Sequence, residues 1–178
     1  MPEGFCEQCQ GKCCTEFTVY ITHYDIKRLL DFTKWDPESF VTAYADDGKC
    51  TYPLVKMQEY DVRLGLTHGN KRCIFMRTED DKNTCTVQAH KPMVCRTYPF
   101  SVTEEGKLVH VEPYKCPGPV WPGSEEERNK AVMEVRQLHK EYEQYEALVN
   151  RWNSLAKERR TGLRAFLDFL IADGQVRD

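Results

Sequence analysis

No apolar run in this chain approaches the length of a membrane span, and its first residues show no basic start followed by an apolar stretch. The expectation is a chain without a transmembrane helix or secretory leader, in the cytosol. An excess of charge of either sign is missing as well. Lys and Arg number 25 against 28 Asp and Glu, a net charge of −3, which excludes a general basic footprint for nucleic acid or an anionic membrane. Also missing are GxxxxGK[ST], a GxGxxG opening a helix, HExxH and GxSxG, so no catalytic or nucleotide-binding motif is recognisable. The C-x3-C-x2-C signature of radical enzymes is absent, as are internal repeats and low-complexity tracts. What remains has the balance of an ordinary globular protein, with 40% hydrophobic and 30% charged residues.

Cysteine is what the chain has in excess. It has nine, an odd number, and cytosolic thiols stay reduced, so a disulfide scaffold is a poor account of them. Four lie in the opening stretch "CEQCQGKCC": Cys6, Cys9, Cys13 and Cys14. Cysteines elsewhere are often small buried hydrophobes, but a loop of Gly and Gln offers no core to fill. Thiolates bind soft and borderline metals, and closely spaced pairs in loops can wrap an ion without distorting a regular element. Cys6 and Cys9 have chelating spacing. Adjacent side chains diverge, so Cys13 and Cys14 are expected to serve one large inorganic site or two separate ones. Cys50, Cys73, Cys85, Cys95 and Cys116 follow singly.

The fold class expected is α+β, with a small irregular cysteine-rich domain over 1–122 and a C-terminal helical extension over 123–178. Phe17, Val19 and Ile21 alternate as in a half-buried strand. Thr22 and Asp25 form a capping-box variant opening a helix that carries Ile26, Leu29 and Leu30 on one face. Asp36-Pro37 reads as a second helix start, running to about Ala45. Residues 50–115 look β-rich: strands within "YPLVKMQEYDVRLGL" and "RCIFMR", a turn at "THGNK", a polar loop at "TEDDKN" and a hairpin about Glu105-Gly106. Ser124 and Glu127 then cap a long helix whose seam is Val135, Leu138, Tyr142, Tyr145, Val149, Trp152 and Ala156. About 35 residues of helix would span roughly 50 Å. After "RRTG", a final helix with Leu163, Phe166, Leu167, Leu170 and Ile171 on one face ends near Gly174 and folds back as a hairpin. The seam suits a helix–helix core, a protein partner or a homodimer. "KERR" near Lys157 reads as a solvated helix end.

Taken together, "CEQCQGKCC", "CIFM…CTVQAHKPMVCRTYPF" and "KCPG" resemble the YkgJ-type cysteine-cluster family over about residues 5–118. The resemblance implies a zinc- or iron-chelating domain, often an iron–sulfur protein, with Cys6, Cys9, Cys13, Cys14, Cys73, Cys85, Cys95 and Cys116 as metal ligands. Two departures are visible: the acidic insertion "RTEDDKN" between Cys73 and Cys85, and His90 where the family often has Arg before Pro. Cys50 lies outside the pattern.

Eight thiolates can hold two zinc ions, one cluster plus spare ligands, or two four-cysteine clusters. Only one C-x2-C knuckle is present, where structural zinc usually shows two. Cys116 is followed by Pro, as is the last cysteine of bacterial ferredoxin runs. These features favour one or two iron–sulfur clusters, of the 4Fe-4S type, over zinc. Arg96, beside Cys95, is a candidate for offsetting cluster charge and donating to sulfur, with a structural ion pair the equal alternative. Tyr98, Pro99 and Phe100 are expected to pack against the site. The histidines His23, His68, His90, His110 and His139 read as ordinary polar residues, with His90 and His110 the nearest to being exceptions. The functional expectation is an electron-transfer or redox accessory protein docking a protein partner through its C-terminal helices. A zinc-stabilised interaction module is the alternative. A third reading, part of a protein-modifying enzyme, follows from a resemblance to a domain of some flagellin lysine methylases, although no cofactor-binding segment is recognisable.

Overall fold

The computed structural model describes residues 11–48, 50–80, 82–111 and 121–173. In chain order the elements are α1 (Lys12–Glu16), α2 (His23–Thr33), β1 (Val41–Ala45), β2 (Val55–Lys56), β3 (Asp61–Leu66), β4 (His68–Gly69), β5 (Arg72–Cys73), β6 (Met76–Glu79), β7 (Lys82–Cys85), α3 (Met93–Thr97), β8 (Phe100–Val102), β9 (Leu108–His110), α4 (Glu125–Asn153) and α5 (Leu163–Asp173). Turns of 3-10 helix lie at Pro37–Ser39, Gln88–His90 and Lys157–Arg159. This is the expected α+β class, with small antiparallel sheets and a long C-terminal helix followed by a shorter one. Among the described residues, no helix is long and apolar enough to cross a membrane.

The chain groups into two units interleaved in sequence: Met1–Val19 with His68–Lys140, and Tyr20–Thr67 with Glu141–Asp178. The first contains α1, the hairpins β4–β5, β6–β7 and β8–β9, α3 and the first part of α4. Its elements are short, and its buried apolar residues are few: Val19, Cys73, Phe75, Val87, Met93, Phe100, Ala131 and Val135. The expected capping box opens α4, where the Glu127 amide donates to Ser124 Oγ and the Ser124 amide to Glu127 Oε2, both at 3.1 Å. The β8–β9 hairpin also forms where expected, turning at Gly106, whose φ of 82° favours glycine.

The second unit is built on a three-stranded antiparallel sheet ordered β1-β3-β2, with Val41 opposite Leu66. Residues Val62 to Leu66 of the central strand are all buried. The predicted capping box at Thr22 and Asp25 is present, and α2 buries Ile26 and Leu29. Arg28 then donates to Asp25 at 2.5 Å and, through two nitrogens, to both oxygens of Glu141 at 2.9 and 2.7 Å. The two carboxylates, almost fully buried, are thereby paired instead of standing alone. At the end of α4, Asn153 imitates a neighbouring strand residue. Its Oδ1 accepts from the Lys56 amide and its Nδ2 donates to the Leu54 carbonyl, each at 2.8 Å. Trp152 donates to the Lys56 carbonyl at 2.9 Å and packs on Phe166 and Phe169 of α5 at 5.1 and 5.4 Å between ring centroids. The seam residues Val135, Tyr145, Val149 and Trp152 are buried within the chain.

Four local expectations need correction. Asp36 and Pro37 do start a helical turn, in which Asp36 accepts from the Glu38 amide, but it stops at Ser39. The residues after it become β1, because Val41, Thr42 and Tyr44 suit a pleated strand and β3 lies beside them. Phe17 to Ile21 is extended without forming a strand, making one bridge from Tyr20 to Gly65. "TEDDKN" pairs as the exposed β6–β7 hairpin, with Glu79 opposite Lys82 and Asp80 at φ 47° in the turn. Helix α4 has 29 residues, about 43 Å at its standard rise, shorter than expected. The predicted helix end near Gly174 lies outside the described residues.

His23 is 7% exposed, beside the Tyr145 and Tyr24 rings. Burial lowers its pKa to about 4, against the pull of Glu141, with Arg28 adding to the lowering. Between pH 6.5 and 4 the unfolded chain therefore binds this proton and the native chain does not. Stability should be fully present above pH 6.5 and fall through that window, by about 2–3 kcal/mol from this group. Urea denaturation at pH 7 and pH 4.5 should show the loss, and His23→Gln should flatten it.

Candidate metal centre

Gly11 fixes how the cysteine-bearing segment enters the fold. Its φ is 69°, a left-handed conformation, and a Cβ there would meet Met76 Sδ at 3.1 Å and Asn83 Cβ at 3.2 Å. Glycine is thus required twice, for backbone conformation and for close approach to the β6–β7 hairpin. The Gly11 carbonyl accepts from the Cys14 amide at 2.9 Å, and the chain winds into α1, which carries Cys13 and Cys14. Directly after α1, Phe17 packs edge-to-face on Tyr98 at 5.7 Å. One end of α1 therefore rests on the hairpin bearing Cys85, opposite Met76, and the other beside α3, which bears Cys95. Cys73 lies on β5, 6% exposed.

The helical turn changes the expectation for the vicinal pair. Cys13 Sγ and Cys14 Sγ lie 3.9 Å apart, so the two sulfurs converge. In a helix successive side chains are only about 100° apart, and rotation about χ1 brings their ends together. Two thiolates on one tetrahedral ion at about 2.3 Å would be separated by about 3.8 Å. The pair is thus spaced as one edge of such a site.

Electrostatics tie further thiols to this edge. The hydrogen bond from Cys14 holds the Cys13 thiol down to about 7 against burial, with Lys91 adding to the effect. Cys14 is pushed far up by its bond to Cys13, by burial, and by the charges of Cys13, Cys73 and Cys95. Burial pushes Cys73 up to about 11; an amide bond from Phe75 opposes this, while the charges of Cys85 and Cys13 reinforce it. Cys13, Cys14 and Cys73 thus feel one another's charge, Cys95 adds to Cys14 and Cys85 adds to Cys73, so their joint ionisation is disfavoured. Thiolates are soft donors of the kind that zinc and iron take. Among the described residues, no three His, Cys, Asp or Glu side chains are drawn close enough to hold a metal ion by themselves. Cys6, Cys9 and Cys116, the other three ligands expected, lie outside the described residues.

Arg96 Nη2 donates to Glu134 Oε1 of α4 at 3.0 Å, the structural ion pair of its two readings. Phe100 is 6% exposed, and its ring lies tilted against those of His110 and Trp121, with centroids 5.1 and 5.7 Å away. His90 is exposed at the end of a 3-10 turn, and His110 lies 4.3 Å from the Trp121 ring. Cys50 belongs to the other unit. Its sulfur accepts from the Tyr52 amide at 3.4 Å, and its carbonyl accepts from buried Arg63 at 2.8 Å. His68, read in the sequence as an ordinary polar residue, is set opposite Cys73 by the β4–β5 register. The signal was in "THGNKRC", where a two-residue turn at Asn70-Lys71 dictates that pairing.

Cys73→Ser should remove most of the bound metal from the purified protein, while Cys50→Ser should leave the metal content unchanged. Elemental analysis, with far-UV circular dichroism to confirm folding, checks both.

The profile of the CxxCxxCC family, described as "Putative zinc- or iron-chelating domain", matches residues 5–117. No curated protein and no solved structure gives a match. The family's name spells two residues before the paired cysteines, whereas this chain has three, Gln10, Gly11 and Lys12. With the match covering well over half of its length, the chain belongs to the CxxCxxCC family, whose metal-binding cysteine cluster takes zinc or iron.

Proposed function

We propose that the cysteine-bearing unit is an iron–sulfur module that exchanges single electrons with a protein partner. The observation that carries this reading is the number of thiols in mutual reach. One four-coordinate site, whether a zinc ion or a four-cysteine cluster, takes four thiols, whereas five described cysteines are linked pairwise by their charges before Cys6, Cys9 and Cys116 are added. Eight thiols are enough for two four-cysteine clusters. The 3.9 Å edge at Cys13 and Cys14 suits an iron that carries two thiolates. Cys13, Cys14, Cys85 and Cys95 are partly exposed, which keeps the centre near a surface where an electron can enter or leave. When bound, the cluster supplies the redox chemistry. The chain's own residues hold it, and Lys91 offsets part of its negative charge. For a docking partner, α4 offers Met133, an apolar side chain 69% exposed.

A second reading rests on that same edge, which equals the spacing of two thiolates on zinc. Two zinc ions would then stabilise the unit without redox activity.

Anaerobic purification without added metal separates the two. The iron–sulfur reading expects iron with acid-labile sulfide and a broad visible absorption that bleaches on reduction with dithionite. Colourless protein with stoichiometric zinc would overturn it in favour of the structural role.

A further inference from the structure

We propose that His68 is a ligand of the metal centre, its Nε2 coordinating the same ion as Cys73. This rests on the reading of the thiol cluster as a metal centre, and holds for zinc or iron.

Three observations converge on His68. The first is register. Asn70 and Lys71, with φ of 52° and 63°, make a two-residue turn that pairs Gly69 with Arg72 and His68 with Cys73. Such positive values mark the primed turns of tight hairpins. The pair flanking a two-residue turn exchanges the backbone hydrogen bonds. The next pair, His68 with Cys73, is then non-hydrogen-bonded, the type in which facing Cα atoms are only about 4.5 Å apart. Directly opposed side chains share one face of the ladder, so the imidazole and the Cys73 thiol leave it on the same side.

The second observation is an orphaned atom. His68 Nε2 is buried and has no hydrogen-bond partner. A buried polar nitrogen left unsatisfied costs about 1–3 kcal/mol, and native proteins seldom leave one without a reason. Coordination to a metal supplies the missing partner, since neutral imidazole is a good ligand for both zinc and iron.

The third is the contrast with the other histidines. His90 and His139 are exposed, and His110 Nε2 is buried as well, but its hairpin sets it opposite Phe100, in a ring cluster with Trp121, and not opposite a cysteine. His23 also has a buried nitrogen without a partner, but it belongs to the other unit, which holds none of the clustered thiols. Only His68 among them combines an unsatisfied buried nitrogen with a thiol of the cluster directly across a hairpin. A nitrogen donor would make the centre a mixed sulfur–nitrogen site and lower its negative charge by one relative to thiolate. In an iron–sulfur centre that substitution raises the reduction potential.

X-ray absorption at the edge of the native metal, on the full chain purified anaerobically, tests this directly. Wild type should show one nitrogen scatterer at about 2.0–2.1 Å beside sulfur at about 2.3 Å, with the outer-shell pattern of imidazole. H68C should retain the metal and show sulfur alone, and H139A should match wild type. An all-sulfur shell in wild type, or nitrogen persisting in H68C, would overturn the assignment. That result would make Nε2 the partner of a bound water or a donor to a thiolate. Wild type without metal would overturn the metal-centre reading itself, a separate failure. Should H68C not fold, long-range 1H–15N correlation on the zinc-loaded wild type decides. His68 Nε2 should appear proton-free at a metal-bound shift, and an ordinary tautomer equilibrium would contradict it.

Discussion

Sulfur atoms held within reach of one another cannot all carry charge unless something positive stands among them, and the cysteine-bearing unit is organised around that constraint. Apart from the first part of α4, its secondary structure is too short to be self-sufficient. Helices α1 and α3 have five residues each, β4 and β5 two each, and β6 and β7 four each. A five-residue helix lies far below the length at which helices are stable alone, and single hairpins are marginal. Each of these pieces except β4 and β6 nevertheless carries a cysteine of the cluster, and both exceptions pair with a strand that does. Metal coordination couples directly to folding in such an arrangement, because the ligands form a preorganised site only in the native chain. On the proposed reading, metal binding by these cysteines would supply both the chemistry of this unit and part of what keeps its pieces together.

The other unit shows what the first one lacks. It has a three-stranded sheet, two amphipathic helices and the end of a third, and a core of full-sized apolar side chains including Ile21, Phe40, Leu64, Tyr145, Trp152, Phe166 and Leu167. Each such side chain, fully buried, contributes about 1.5–3 kcal/mol. Its charged interior residues are paired, as Arg28 is with Asp25 and Glu141, and Arg63 is with Asp46. A conventional core carries the second unit, and the proposed metal centre would play that part in the first. α4 belongs to both, through Glu125–Lys140 in one and Glu141–Asn153 in the other.

Signals confined to a few adjacent residues were legible in the sequence. The boxes at Thr22 with Asp25 and Ser124 with Glu127, and the turn at Gly106, depend only on local geometry. The sulfur-dense opening was legible as metal-binding for a similar reason, since no core could account for it. Errors arose where a distant partner decides. Val41–Ala45 follows a sound helix start, but β3 recruits it into the sheet. "TEDDKN" has a loop's composition, and opposed pairs such as Glu79 with Lys82 still zip it into a hairpin. Convergence of Cys13 and Cys14 depended on whether their segment was loop or helix, which composition leaves open. His68 read as an ordinary polar residue because its interest comes from register, through the turn that sets it across from Cys73.

The most direct measurement of the central claim is thiol alkylation mapped by mass spectrometry, on the anaerobically purified protein before and after chelation. Cys13, Cys14, Cys85 and Cys95 are partly exposed, so burial alone should not protect them. If a metal ties them together, they should react slowly in the native protein and rapidly once it is removed, while Cys50 reacts at the same rate in both samples. Equal rates for all five cysteines with and without chelator would contradict the account and leave the cluster as an assembly of ordinary thiols.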